Sequence, residues 1–168
     1  MPASESHSKP RVYVSAFLCQ STIREQGDLL TAVRIVDGFT TSAIGELTTG
    51  EVMYFPVNVS AVVIFRAEMP SKSTLTIKVR DPRGEELQGT RSFSVHSKSL
   101  IEGHTLNINF RVPGQKEGDF WFEVYVDDEL ATKVPLRITH QKRVPRPEPG
   151  QPLETTEEPR DESSGLRH

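Results

Sequence analysis

The clearest pattern in this sequence is an alternation of apolar and polar residues in two adjacent segments, as expected for β-strands with one buried face. In the first segment, four apolar residues alternate with three large residues of the opposite face, namely Phe120, Phe122, Val124 and Val126 against Trp121, Glu123 and Tyr125. On the return strand we expect Lys133 and Arg137 outside and four residues inside, namely Leu130, Val134, Leu136 and Ile138. Because aspartate tolerates the left-handed backbone of a tight turn, Asp127-Asp128 between the segments predicts a hairpin.

Six further segments have strand-like composition and are separated by Gly, Pro, Asp and Ser. They are residues 12–19, 29–36, 55–67, 74–79, part of 86–95, and 105–112. Residues 55–67 are almost continuously apolar, which predicts a central strand, whereas the polar stretch 86–95 favours an edge strand. Asp81-Pro82-Arg83-Gly84 has the residues of a type I turn, and residues 40–50 are predicted to form a loop.

These strands predict the fold class. Two half-apolar sheets can bury each other, so we expect an all-β, antiparallel immunoglobulin-like β-sandwich of about 7–9 strands. The domain is expected over residues 11–139, because 168 residues with 35% hydrophobic content suit one domain plus tails. Residues 1–10 and 140–168 are expected to be disordered, since the C-terminal stretch is rich in proline and charge and lacks aromatic residues.

The proline-rich tail carries one weak motif. Residues 145–149 favour a polyproline II segment, and residues 149–152 fit a P-x-x-P ligand for an aromatic groove. Such matches are frequent by chance, so a solubilising tail is the simpler interpretation.

Charge and cysteine content limit the partners and the compartment. The net charge is −3 and both signs are interspersed, so neither nucleic acid nor an anionic membrane is an expected partner. Cys19 is the single cysteine, which excludes an intrachain disulfide and favours a reducing compartment. With no apolar signal sequence and no run of 18 apolar residues, we expect a cytoplasmic protein.

Short sequence patterns within residues 11–139 resemble a bacterial family of small immunoglobulin-like β-sandwich proteins of unknown function. The patterns are Phe17-Leu18-Cys19, Arg34-Ile35-Val36-Asp37-Gly38, Gly118-Asp119-Phe120, Asp127-Asp128-Glu129-Leu130-Ala131-Thr132 and Val134-Pro135-Leu136-Arg137. The resemblance implies a fold and no activity. Phe120 stands where such a fold often has a corner tyrosine.

One surface is a candidate binding site. Trp121 and Tyr125 share a strand face with Glu123 between them, and their Cα atoms are predicted to lie roughly 13 Å apart. If exposed, the two rings offer hot spots for binding a protein partner. Alternatively, they offer stacking surfaces for a sugar, and the carboxylate between them accepts hydrogen bonds from the sugar hydroxyls. Alternatively, a loop, an edge strand or the stems of Lys133 and Arg137 cover the rings as a second small cluster.

Other chemistry has little support in the sequence. His96 and His104 are expected in or beside a loop and His140 in a tail, and zinc needs three or four converging ligands. Cys19 has the position of a small buried hydrophobe, and no nucleophile or phosphate motif occurs, so we expect no cofactor and no enzyme activity. The leading hypothesis is a non-catalytic interaction module with an unknown protein partner. A carbohydrate-binding module is the alternative, and a hydrolase with an unrecognised site is the third.

Overall fold

The structure is a computed structural model that describes residues 11–27, 29–46, 49–87 and 89–141. Within these ranges the chain forms eleven β-strands and no helix, which confirms the all-β prediction. The strands are β1 (Val12–Arg24), β2 (Leu30–Ile35), β3 (Gly38–Thr41), β4 (Ala43–Glu46), β5 (Val52–Tyr54), β6 (Val57–Ala67), β7 (Ser71–Arg80), β8 (Arg91–Ser97), β9 (His104–Val112), β10 (Gly118–Val126) and β11 (Glu129–His140). The described ranges therefore contain no helix that could span a membrane.

The strands form three sheets. A four-stranded sheet has the order β2-β1-β6-β9, and all of its neighbouring strands are antiparallel. A five-stranded sheet has the order β3-β11-β10-β7-β8, in which only β3, beside β11, pairs in parallel. Strands β4 and β5 form a separate antiparallel pair. The predicted antiparallel pairing is therefore correct apart from the short strand β3.

An apolar core joins the four-stranded and five-stranded sheets, because alternating residues of each sheet point toward the other. The ring of Phe110 on β9 meets the ring of Phe122 on β10 edge to face, with 5.3 Å between the ring centroids. Because β9 and β10 belong to different sheets, this pair packs one sheet directly against the other.

Several strand predictions are confirmed. The apolar stretch 55–67 contains β6, which lies inside its sheet between β1 and β9. The stretches 12–19 and 29–36 pair as β1 and β2. In the β7–β8 connection, the Gly84 amide donates to the Asp81 carbonyl at 2.9 Å, which closes the predicted turn.

Other predictions were wrong in detail. Residues 40–50, expected to be a loop, contain β4 and the end of β3. Period-two alternation is weak over only four residues, so these strands gave little signal. The edge strand sought within 86–95 is Arg91–Ser97, and it does lie at the edge of the five-stranded sheet. Of the termini predicted to be disordered, residues 1–10 and 140–168, the parts 1–10 and 142–168 lie outside the described residues. His140 was wrongly assigned to the tail, because β11 continues through it.

The β10–β11 hairpin contains an irregularity that the sequence pattern missed. Asp127 and Asp128 both have positive φ, as the predicted two-residue turn requires. Beyond the turn, a bulge shifts the register so that Leu130 pairs with Tyr125 of the outer face, and Thr132 pairs with Val124. The inward position predicted for Leu130 was therefore wrong, and its side chain is exposed.

Gly114, in the connection between β9 and β10, provides a test of the packing. A Cβ atom at this position would lie 2.9 Å from the carbonyl carbon of Phe55. We expect Gly114→Ala to lower the free energy of unfolding by about 1–3 kcal/mol, because the two backbone segments must separate. The matched control is Gly45→Ala, where a Cβ meets nothing within 4 Å. Equal urea midpoints for the two variants would contradict this packing.

Candidate binding surface

The candidate residues Trp121, Glu123 and Tyr125 lie on β10, which is bordered by β11 and β7 in the five-stranded sheet. All three point to the outer face of the sheet, as the alternation predicts. Their exposure differs greatly, however. Trp121 is 40% exposed and Glu123 is only 4% exposed, while Tyr125 is intermediate. The three residues therefore do not form one uniformly accessible surface.

Glu123 is buried because three side chains from β7, β10 and β11 converge on its carboxylate. Arg80 donates from Nε to Oε2 at 2.8 Å, and Lys133 lies with Nζ 2.8 Å from Oε1. The Tyr125 hydroxyl also donates to Oε2, at 2.7 Å. Both carboxylate oxygens are therefore engaged within the protein, and Glu123 is poorly placed to bind a ligand itself.

This arrangement keeps Glu123 ionised. Burial raises the pKa of the carboxyl, but the hydrogen bonds from Lys133, Tyr125 and Arg80 outweigh burial and hold the pKa at about 2. An unperturbed glutamate has a pKa of 4.5. A carboxyl with such a low pKa cannot act as a general acid near neutral pH, so its role is to fix its neighbours.

Tyr125 is covered by the same kind of long cationic side chain. Lys78 Nζ lies 5.4 Å from the centroid of the Tyr125 ring and 3.6 Å from Glu86 Oε2. These contacts fit the expectation of a small covered cluster, although Lys78 supplies the cover and not Arg137. The same interpretation does not extend to Trp121, whose ring stays accessible.

Trp121 borders a shallow depression of about 520 Å³ at the β3 side of the sheet. We call Trp121 and the outward side chains of this depression the Trp121 face; they are Asp37, Thr40, Asp119, Trp121, Pro135, Arg137 and Thr139. In the sheet register, Trp121 pairs with Pro135 on one side and with Arg80 on the other. The strand register therefore places Trp121 between Pro135 and Arg80 on the neighbouring strands.

Arg137 forms the polar side of the Trp121 face. Its guanidinium donates to Asp119 through two hydrogen bonds, of 2.7 Å from Nε and 3.0 Å from Nη2. Asp119, and more weakly Asp37, raise the pKa of Arg137, while the arginine lowers the pKa of Asp119. Both groups remain charged and partly exposed, so the Trp121 face combines an apolar ring with a bidentate ion pair.

Sequence reasoning identified Trp121 but missed most of its surroundings. Asp119 and Arg137 lie at alternating positions on the two strands of the predicted hairpin, so the pattern contained a signal for them. The sequence contained no such signal for Asp37 or Thr40. They reach the depression only because β3 pairs with β11 across about a hundred residues of sequence, where the hydroxyls of Thr40 and Thr139 lie 3.1 Å apart.

Two of the described histidines lie beside a loop, as expected, and a third lies at the end of a strand. His96 and His104 lie on β8 and β9, with their rings edge to face and their centroids 5.1 Å apart. His140, expected in a tail, stacks on Tyr54 at 3.5 Å, and its Nε2 lies 2.8 Å from the Gly114 carbonyl oxygen. Within the described ranges, no three His, Cys, Asp or Glu residues are grouped so as to hold a metal ion.

Cys19 has the surroundings expected of a buried hydrophobe. It is fully buried, and its Sγ lies 3.6 Å from the carbonyl oxygen of Ser60. Burial raises the pKa of the thiol, which disfavours the reactive thiolate. The geometry therefore gives Cys19 a role in packing.

The fold and this surface together define an all-β protein with one exposed tryptophan on a charged sheet face. The chain belongs to DUF6941, a family of unknown function whose model matches residues 15–139. No curated protein matches this chain.

Solved structures show only distant similarity. A β-glucosidase from Listeria innocua aligns with a TM-score of 0.42 and 7% identity, covering 77% of this chain and 16% of that one. A GH3 β-glucosidase from Bifidobacterium adolescentis aligns with a TM-score of 0.36 and 11% identity, covering 77% of this chain and 17% of that one. A β-D-glucoside glucohydrolase from Trichoderma reesei aligns with a TM-score of 0.36 and 10% identity, covering 79% of this chain and 19% of that one. The chain thus spans less than a fifth of each of these proteins.

Proposed function

We propose that this chain is a non-catalytic interaction module that binds a protein partner through the Trp121 face. The observation that carries the proposal is a tryptophan 40% exposed on the middle strand of a five-stranded sheet, beside a depression with charged walls. Tryptophan and arginine are the side chains most enriched among the residues that dominate protein binding energies. The Trp121 face presents both side by side.

Preorganisation also favours binding. The backbone of β10 is hydrogen-bonded on both sides, and Glu123 fixes Arg80, which pairs with Trp121 in the register. Binding of a partner here therefore fixes few additional side-chain rotamers of this protein, and the loss of conformational entropy that opposes association is smaller. Asp119 and Arg137 at the rim supply charges of both signs, which select a partner with a complementary pattern.

The same contacts argue against catalysis as the role of this surface. Glu123 has no unengaged oxygen, and Asp119 is held by Arg137. A general base needs a carboxylate or imidazole poised to exchange a proton near the working pH, and these groups are stabilised as ions. A binding role without catalysis accounts for the arrangement.

We also propose that the domain is an immunoglobulin-like sandwich and that the protein is bacterial and cytoplasmic. Two sheets around a common core support the first part. The buried, unpaired thiol of Cys19 supports a reducing compartment such as the cytoplasm. Locating the protein by fractionation of its native cells tests this part independently of binding.

The binding proposal predicts a specific loss on removal of one side chain. The full chain is used as bait, and captured proteins are compared among wild type, Trp121→Ala and Tyr13→Ala. Tyr13 is a matched control because it is 45% exposed but lies on β1 of the other sheet. We expect Trp121→Ala to weaken the affinity for the captured partner at least about 30-fold, the typical effect of losing a hot-spot tryptophan.

Tyr13→Ala is expected to retain wild-type affinity. Both variants should have a free energy of unfolding within about 1 kcal/mol of the wild-type value, because neither side chain belongs to the core and each loses only contacts on an outer sheet face. If Trp121→Ala captured the same partner with unchanged affinity, the proposed surface would be wrong.

A carbohydrate ligand is the second candidate, favoured by the composition of the depression. An indole ring next to carboxylates, a guanidinium and the hydroxyls of Thr40 and Thr139 is suited to stacking on a sugar and bonding its hydroxyl groups. Titration of Trp121 fluorescence with a panel of oligosaccharides separates the two candidates. A saturable change with a sugar favours this candidate, and a flat response across the panel eliminates it.

A further inference from the structure

A groove of about 520 Å³ lies between the last part of β1, the start of β6 and the edge strand β3. We call it the Phe55 groove; the side chains of its lining that matter for binding are Gln20, Ser21, Phe39, Phe55, Pro56 and Asn58. Phe55 is 54% exposed, and the rings of Phe39 and Pro56 are half-buried. The groove therefore presents an accessible apolar surface.

The polar side chains of the Phe55 groove are neutral. Among the described residues that line it, none carries a charge. Ser21 and Asn58 are exposed, and the hydroxyl of one and the amide of the other can donate hydrogen bonds to a backbone carbonyl. Aromatic-lined grooves bind polyproline II segments, whose prolines pack on the rings and whose carbonyls make no internal hydrogen bonds. The lining therefore suits an uncharged, proline-rich peptide.

The described part of the chain ends at this groove. The amide of Gln141 donates to the carbonyl oxygen of Thr41 at 2.9 Å, and the Ser42 hydroxyl donates to Gln141 Oε1 at 2.6 Å. Thr41 and Ser42 both line the Phe55 groove. Residues 142–168 therefore start at its rim.

Residues 142–168 contain a segment with the composition that the groove suits. Their longest run without a charged residue is 149–153, which reads Pro-Gly-Gln-Pro-Leu and includes the P-x-x-P motif. A polyproline II helix has three residues per turn, so the two prolines of this motif lie on the same face. At about 3.1 Å per residue, the connecting residues 142–148 span up to about 20 Å. The run 149–153 can therefore reach the groove from Gln141.

We propose that residues 149–153 dock in the Phe55 groove of their own chain. The two prolines pack against Phe55 and Pro56, and backbone carbonyls of the segment accept hydrogen bonds from Ser21 and Asn58. A short flexible connection gives an effective concentration on the order of millimolar, so a contact with a Kd of about 1 mM fills the groove in roughly half of the molecules. Docking does not require a partner at the Trp121 face, and neither proposal depends on the other.

The test attaches a nitroxide spin label to the full chain at Glu154→Cys, directly after the docking segment. Cys19 is fully buried and burial raises the pKa of its thiol, so the label reacts at position 154. We expect the amide NMR signals of Ser21 and Asn58 to be broadened by the label to an extent that does not depend on protein concentration. Broadening that grows with concentration would place the segment on a second copy of the chain and overturn the proposal.

Replacing both prolines distinguishes docking from mere proximity. A segment that does not dock still samples the surroundings of Gln141, with or without its prolines. We expect Pro149→Ala/Pro152→Ala to reduce the broadening at Ser21 and Asn58 at least about twofold, because the preformed polyproline II conformation and the ring contacts are lost. Unchanged broadening in this double variant would show that the segment does not dock.

A third variant locates the docked segment. Phe55→Ala removes the exposed ring from the groove and should reduce the broadening by a similar factor. The matched control is Tyr13→Ala, because Tyr13 is 45% exposed on β1 and does not line the groove. This control should keep the wild-type broadening. Equal broadening in wild type and Phe55→Ala would contradict docking in this groove, whatever the proline variant showed.

Discussion

Replacing Phe122 with alanine is expected to lower the free energy of unfolding by about 3–5 kcal/mol, the largest effect of any substitution considered. Phe122 is 1% exposed and belongs to the common core of the two sheets. Its ring meets Phe110 of the opposite sheet, so the substitution removes both buried apolar area and a direct contact between sheets. The surrounding strands are hydrogen-bonded and cannot collapse fully into the cavity.

Urea denaturation followed by far-UV circular dichroism measures this effect. The matched control is Phe55→Ala, because Phe55 is also a phenylalanine but is 54% exposed in the connection before β6. The control should change stability by less than about 1 kcal/mol. Comparable destabilisation of the two variants would mean that the core does not lie between these sheets.

Replacing Glu123 with glutamine is expected to destabilise the protein by about 1–3 kcal/mol at pH 7. The shape of the side chain is retained, but the charge that holds Lys133 and Arg80 is lost. A pKa lowered from 4.5 to about 2 would by itself correspond to a larger loss of stability. Solvent screening reduces this loss, because the two cations are partly exposed. Urea denaturation of both proteins at a series of pH values measures the difference.

The pH dependence of that difference identifies its origin. Because the folded protein holds the pKa of Glu123 below the unfolded value, the ionised carboxylate stabilises the fold above about pH 4.5. This contribution is lost as the pH falls from 4.5 toward 2. The stability gap between wild type and Glu123→Gln should therefore narrow by more than half between about pH 6 and pH 3. A constant gap would show that packing, and not charge, explains the effect.

The Glu123 contacts also bear on binding, since they hold in place the sheet face from which Trp121 projects. The sequence suggested that Glu123 would bind a ligand next to two aromatic rings. In the structure the carboxylate instead fixes Arg80, Lys133 and Tyr125 to the sheet. The proposed binding surface is consequently smaller than the sequence suggested and lies toward β3, where Trp121, Arg137 and Asp119 line one depression.

The alternation of apolar residues was enough to predict most long strands. Where a strand contains several repeats of the period-two pattern, as in β7, β9 and β10, the pattern predicts which residues point inward, because burial of one face requires apolar residues there. The β10–β11 turn was also predictable, because Asp127-Asp128 suits a backbone with positive φ.

The features missed from the sequence depend on contacts distant in the chain. Strand β3 is four residues long and owes its place to pairing with β11. The bulge beside Leu130 leaves the composition of the strand unchanged, so alternation alone assigned this residue to the wrong face. The burial of Glu123 depends on Arg80 and Lys133, which only the order of β7, β10 and β11 brings together. Local patterns contain no information on strand order.

The most direct test of the Trp121 face uses the fluorescence of Trp121 itself, because it is the single tryptophan of the chain. The captured partner, made without tryptophan, is titrated into the full wild-type protein while emission and acrylamide quenching are recorded. A buried interface predicts a blue-shifted emission maximum and quenching reduced at least about twofold at saturation, because the indole is desolvated. Unchanged emission and quenching at saturating partner would contradict the claim that this face is the binding surface.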